Sequence, residues 1–353
     1  MHDEAIELCY IKDLVKQCMG CGSKYPKEYN YCVKCELDDP LIVIGRKDVE
    51  IIKILSKPNK TFNFKNHLNH FESIDELLSS ENIELLKRFN LSESQFDEII
   101  ENIMKTYKNN LNDLVELYYI DYRSLCLLDK ILLFSKSIVK TKYKGGGGDY
   151  GHYLFNEIYV EERPETVLKI VTIIHELSHF LLSEVLEQIL STILDTDKTD
   201  ILEAYVHHML LDSFNHLIDE YCAHTVEGRF TMIGFNDYNS YKQDLKKFVR
   251  EHGVKYIDQV MVIGNTFAKY IKMIIESYID DNLREQIFLE FSTLENKNEF
   301  EDIAFEIDEV LEWEEFKKAI KLMLTRNIES IADDPEINRK ILEYALEFEK
   351  SNG

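Results

Sequence analysis

His175, Glu176 and His179 stand in the order H-E-x-x-H, and of all the residues in this chain these have the types and spacing best suited to chemistry. On a helix, residues four apart share a face, so both imidazoles can reach one metal ion while Glu176 points into the space beside it. Neutral imidazole binds zinc without discharging it, an open fourth position holds a water, and a nearby carboxylate can take that water's proton. The pattern therefore predicts a zinc site built for hydrolysis. Val171, Ile173 and Ile174 precede the motif and Phe180, Leu181 and Leu182 follow it. In so apolar a helix, two histidines and an acid need a reason to be inside.

A third ligand is expected on a later helix. His216, Glu220 and His224 fall at i, i+4 and i+8 within ILEAYVHHMLLDSFNHLIDEYCAHTVEGRF, a polar stripe on an otherwise apolar segment. Glu220 is favoured, because two imidazoles plus one carboxylate make an open catalytic set and Ala223 leaves room for close helix approach. His216 and His224 share its face and stay open as alternatives, as orienting partners, or as groups meeting a substrate oxyanion. Asp219 lies about 100° around the helix and is the weakest rival.

Four more candidate ligands lie near the N-terminus. Cys18 with Cys21 and Cys32 with Cys35 form two C-x-x-C pairs separated by a short turn-rich insert. Such knuckles bring four thiolates into a tetrahedron, and the metal then holds together a segment too small for its own core. The segment resembles a zinc ribbon, including Gly22 after the second cysteine and Tyr31 before the third. With sulfur at every position this second zinc is structural, and the ribbon would present a surface to a protein partner. Cys9, Cys126 and Cys222 read as buried thiols or bystanders, and cysteine usage suits a reducing compartment.

The elements that must position these residues follow from patterning. Ser73 with Glu76 and Ser92 with Gln95 have capping-box spacing, so residues 46 to 110 read as helical, with His67 and His70 as ordinary surface or core histidines. Another helix is expected from Asn112 to about Leu133. Gly146, Gly148 and Gly151 fit G-x-G-x-x-G, but β-rich HYLFNEIYV follows them rather than a helix. The expectation is a hairpin with a mobile glycine-rich tip, its second strand beside the active-site cleft. Pro164 and its neighbouring acids should start the H-E-x-x-H helix, which runs to about Leu194. TDKTD at 196 to 200 breaks the chain before one long second helix. Residues 231 to 353 read as amphipathic helices with turn signals near Gly253, Asp280 and Pro335.

The fold class expected is α+β and mainly helical, divided into a ribbon (1–45), a helical region (46–134), a hydrolase core with a small sheet (135–230) and a C-terminal helical region (231–353). With 45% hydrophobic residues the chain should fold almost throughout. Its net charge of −24 argues against nucleic acid or anionic membrane as partners. Neither a leader nor a run of roughly 18 uninterrupted apolar residues is evident, so a cytoplasmic location is expected.

Residues 135 to 230 resemble the gluzincin metallopeptidases, particularly the minimal ones built from a sheet edge, an H-E-x-x-H helix and a later helix donating glutamate. The family's E-x-x-A pattern is matched by Glu220 and Ala223, whereas the metzincin pattern fails at Leu182 and Val185. The resemblance implies zinc on His175, His179 and Glu220, with Glu176 as general base and then proton donor in hydrolysing a peptide or protein substrate. Two other classes stay open: a non-catalytic adaptor binding protein through the ribbon and a peptide-recognising core, and a regulator that responds to zinc.

Overall fold

The computed structural model describes residues 71–117, 122, 125, 127–144, 150–161, 166–232, 239–279, 281–292 and 309–352, and five short strand segments before residue 44. His67, His70, Cys9, Cys21, Cys35, Cys126, Asp280, the glycines at 145–148 and Pro164 lie outside the described residues, as do the side chains of Cys18 and Cys32. The chain divides into two compact units. One comprises Met1–Lys60, Lys105–His152 and Glu157–Ile173, and the other Thr61–Met104, Tyr153–Asn156 and Ile174–Gly353.

The N-terminal strands are β1 (Lys16–Cys18), β2 (Lys24–Tyr25), β3 (Tyr31–Cys32), β4 (Leu37–Asp38) and β5 (Leu41–Val43). They form two small antiparallel pieces, β2-β1-β5 and β3-β4, with Cys18 opposite Leu41 and Cys32 opposite Leu37. Cys18 and Cys32 therefore sit on short paired strands.

Helices then dominate. Ser73 caps α1 (Ile74–Leu77) by accepting from the Glu76 backbone N–H at 3.2 Å. After α2 (Ser80–Arg88), α3 (Glu93–Leu117) opens with a full capping box, since Ser92 Oγ accepts from the Gln95 N–H and Gln95 Oε1 from the Ser92 N–H. The helix expected over 112–133 is instead the end of α3 followed by α4 (Leu127–Ile138). Strands β6 (Lys140–Lys144), β7 (Gly151–Leu154) and β8 (Glu157–Glu161) form a sheet in the order β6-β8-β7, with β6 and β8 parallel. The expected hairpin is thus corrected: its tip is Phe155–Asn156, with φ of 46° and 60°, as a two-residue turn between twisted strands requires.

The apolar segment around the motif becomes α5 (Thr166–Leu194), 29 residues long. By length and composition it could cross a membrane, yet 89% of its apolar window is buried inside this chain. The expected second long helix is two helices. Asp212, with φ −63° and ψ 135°, leaves the helical region and its Oδ1 accepts from the Phe214 N–H. It therefore ends α6 (Asp200–Leu210) and N-caps α7 (Ser213–Gly228). The C-terminal helices are α8 (Asn239–His252), α9 (Ile257–Glu276), α10 (Asp281–Ser292), α11 (Trp313–Thr325), α12 (Ile328–Asp333) and α13 (Pro335–Asn352). Gly253, at φ 81°, makes the turn after α8, and Pro335 occupies the first position of α13 behind the Asp334 cap.

Within the larger unit α7 packs against α8 and α9, and α13 against α6. Gly264 makes the α7–α9 approach possible: a Cβ there would meet Tyr221 Cδ1 at 2.8 Å and the Ile218 carbonyl at 2.9 Å. The fold is mainly helical with a small three-stranded sheet, as the patterning predicted.

Candidate metal centre

The site lies within the larger unit, on α7 and on the part of α5 that follows Ile173. From α5 come His175, Glu176 and His179, which the 3.6-residue period places on one side. From α7 come Asp219, Glu220, His224 and Glu227. Asp212's capping of α7 starts this helix afresh, so its direction is set independently of α6.

Carboxylates fix the imidazoles from behind. The Nδ1–H groups of His175 and His224 donate to the same oxygen, Glu227 Oε2, at 3.0 and 3.2 Å. His179 Nδ1 faces Asp219 Oδ1 at 2.9 Å. Glu227 thus lies behind Nδ1 of His175 and His224 and Asp219 behind that of His179, so the Nε2 atoms are on the opposite side of each ring. The Nε2 atoms of His175 and His179 are 3.1 Å apart. Two lone pairs at that distance repel unless one cation lies between them, and that cation is a proton or a metal. Nitrogens bound to one tetrahedral zinc at about 2.0–2.1 Å would lie about 3.3 Å apart, and a shared proton holds two nitrogens at a similar distance, so the spacing accommodates either cation.

Glu220 completes the convergence. Its Oε1 is 3.8 Å from His179 Nε2 and its Oε2 is 3.8 Å from His224 Nε2. The side chain is only 12% exposed, and Oε2 is buried without a hydrogen-bond partner among the described residues. An orphaned buried carboxylate oxygen costs free energy unless a cation takes it. Single ligand atoms of His175, Glu220 and His224 lie within 4.8 Å of one another. Two imidazole nitrogens and a carboxylate form a donor set that suits zinc, and His179, 3.1 Å from His175 and 3.8 Å from Glu220, lies beside that group rather than within it.

The electrostatics agree. Burial disfavours charge on His175, but Glu227 outweighs it and the pKa is raised. Burial acts the same way on His179, and Asp219, with Glu220 and Glu176, lifts it to about 10. Glu227 is pushed up by burial but held down to about 2 by its two histidines. Without a metal the cluster binds protons where it would bind a cation. Burial raises the pKa of Glu176, against the pull of His175 and His179.

No family model, no curated protein and no solved structure matches this chain.

The structure brings His175, Glu176, His179 and Glu220 together, and adds His224 to the group. His216 is directed elsewhere, with its Nε2 3.4 Å from Asp244 Oδ2 on α8. Asp219, the weakest rival as a ligand, backs His179 instead. Sequence reasoning missed Glu227, although its place three residues after His224 was a readable signal. It also missed Asp244, for which no local signal exists. Tyr241 of α8 packs edge-on to His224 with centroids 6.0 Å apart.

A second buried polar group lies farther along α5. Lys198 Nζ meets Glu184 at 2.6 Å and Glu187 at 2.5 Å, and lies 3.7 Å from Glu203, all nearly inaccessible. Glu203 also accepts from Asn156 of the hairpin turn at 3.0 Å. Burial lifts the Glu187 carboxyl to about 7 against the pull of Lys198.

Proposed function

We propose that this chain is a zinc-dependent hydrolase of peptide bonds, with a zincin-like site supplied by α5 and α7, and a four-cysteine structural zinc at its N-terminus. One observation carries the reading: imidazole nitrogens from an H-E-x-x-H helix meet a buried, hydrogen-bond-deficient glutamate from a second helix, with carboxylates set behind each ring. His175, His179 and Glu220 would hold the ion. Bound zinc would polarise a substrate carbonyl and make a water acidic at neutral pH.

Glu176 does the proton work. Burial raises its pKa, which suits it to accept a proton from the attacking water and return it to the departing amine. Asp219, beside His179 Nδ1, and Glu227, beside Nδ1 of His175 and His224, would turn the Nε2 sides of the rings toward the ion. The apolar residues of α5 around them keep bulk water from competing for these contacts.

The test replaces Glu176 by Gln in the full, zinc-loaded chain and follows cleavage of a mixed peptide library. Zinc content should stay at the native level while cleavage falls by at least about 10²-fold. An undiminished rate in Glu176→Gln would overturn the mechanism.

His224 favours a second reading. Were its Nε2 to bind the same ion, four protein donors would close a tetrahedral site, as in structural zinc and as a zinc-responsive regulator requires. Cobalt substituted for zinc distinguishes the two, because a small anion added to an open site changes the visible spectrum and one added to a closed site does not.

A further inference from the structure

We propose that the centre takes a second divalent cation, with Glu220 bridging an ion at His175 and His179 to an ion at His216 and Asp244. This rests on the metal-binding reading above, since a bridge needs both ends. The arrangement along α7 is the starting point. His216, Glu220 and His224 occupy successive turns of one face, and Glu220 is the middle member. Ligand atoms of His175, Glu220 and His224 lie within 4.8 Å of one another, and so do those of His216, Glu220 and Asp244. Glu220 belongs to both groups, and a carboxylate has two oxygens to share.

The second group has ligand spacing in its own right. His216 Nε2 and Asp244 Oδ2 stand 3.4 Å apart, a separation that two atoms on one ion at about 2.0–2.2 Å readily adopt. Glu220 has two carboxylate oxygens for the two groups: Oε2, 3.8 Å from His224 Nε2, is buried and without a hydrogen bond among the described residues, and one of its oxygens lies within 4.8 Å of the ligand atoms of His216 and Asp244.

The two positions differ in exposure. His179 and His224 have side chains 10% and 7% exposed, whereas His216 and Asp244 are 33% and 27% exposed. The second ion would therefore bind more weakly and exchange with solvent more readily. Held by three protein donors, it keeps open positions for water or substrate, and two ions about 3.5–4 Å apart can clamp both the attacking and the leaving group.

The test adds zinc alone to the metal-stripped full chain, with elemental analysis and zinc K-edge X-ray absorption at each equivalent. Zinc on the four cysteines shows sulfur neighbours, so nitrogen and oxygen shells report on this centre. The native chain should take two nitrogen/oxygen-bound ions and develop metal–metal scattering at about 3.5–4 Å. Asp244→Asn and His216→Ala should each weaken the second of these about 100-fold and leave the first within about threefold. Saturation at one nitrogen/oxygen-bound ion, or two ions surviving in Asp244→Asn, overturns the second site and leaves the first intact. No nitrogen/oxygen-bound ion in a chain that remains helical by circular dichroism overturns both.

Discussion

Glu227 accepts from two imidazoles with a single oxygen, and its negative charge is what makes that sharing favourable. Replacing it by Gln keeps the size but removes the charge and lets one ring turn. Zinc affinity, measured by competition with a chelating dye, should fall about 10 to 100-fold while helicity is unchanged. Affinity equal to the native chain's would show that Glu227 does not orient the rings. The H-E-x-x-H residues were legible in the sequence because four-residue spacing is local geometry. The place of Glu220 beside them was legible from its stripe along the helix. The backing carboxylates were not, since Asp219 and Glu227 gain their roles from how α7 lies against α5, with His179 meeting one side of α7 and His175 another. Asp244 comes from a different helix altogether, and no spacing rule reaches it.

Among elements, α9 comes close to α7 at Gly264, beside the residues that precede and follow Asp219 and Glu220. Gly264→Ala should force the helices apart, lowering stability by about 1–3 kcal/mol in urea unfolding and weakening zinc binding through displaced Glu220. Gly253→Ala is the contrast. Nothing lies within 4 Å of its Cβ position and only its φ of 81° resists, so it should cost about 1–2 kcal/mol and leave zinc affinity alone. Equal zinc affinity in both variants would mean that the α7–α9 spacing does not set the site. Capping boxes announced α1 and α3 correctly because a cap is read within four residues. The break at Asp212 was missed because Leu-Leu-Asp-Ser-Phe keeps apolar residues on both sides of the cap, so the periodicity runs through it unbroken. The hairpin tip was misplaced for the opposite reason: glycines advertise turns, while Phe155 holds a left-handed conformation with its ring against Tyr344 and Phe348.

At the scale of the whole molecule, stability should depend on acid through His207. Its ring lies among Phe155, Tyr344 and Phe348, and burial, helped by His208, lowers its pKa to about 4. Between about pH 6.5 and 4 the unfolded chain binds a proton here that the folded chain refuses. The contribution is therefore complete above pH 6.5 and is lost on acidification, amounting to about 3 kcal/mol by pH 4. Urea unfolding of the native chain and of His207→Leu at pH 7 and pH 4.5 should show this loss in the first only, and parallel losses would exclude His207 as the source. Mainly helical character and the small sheet were legible from composition and patterning, because each helix carries its own period. The Lys198 cluster was not, because its partners come from α5, α6 and the segment between them. The burial of α5 has a consequence in time. A ribosome completes Leu194 34 residues before Gly228 ends α7, so at about 5–20 residues per second the most apolar helix waits seconds for the partner that receives its histidines. During that interval the nascent chain displays a segment hydrophobic enough for a bilayer, and its passage to the folded state depends on chaperones reaching it before membranes or other nascent chains do.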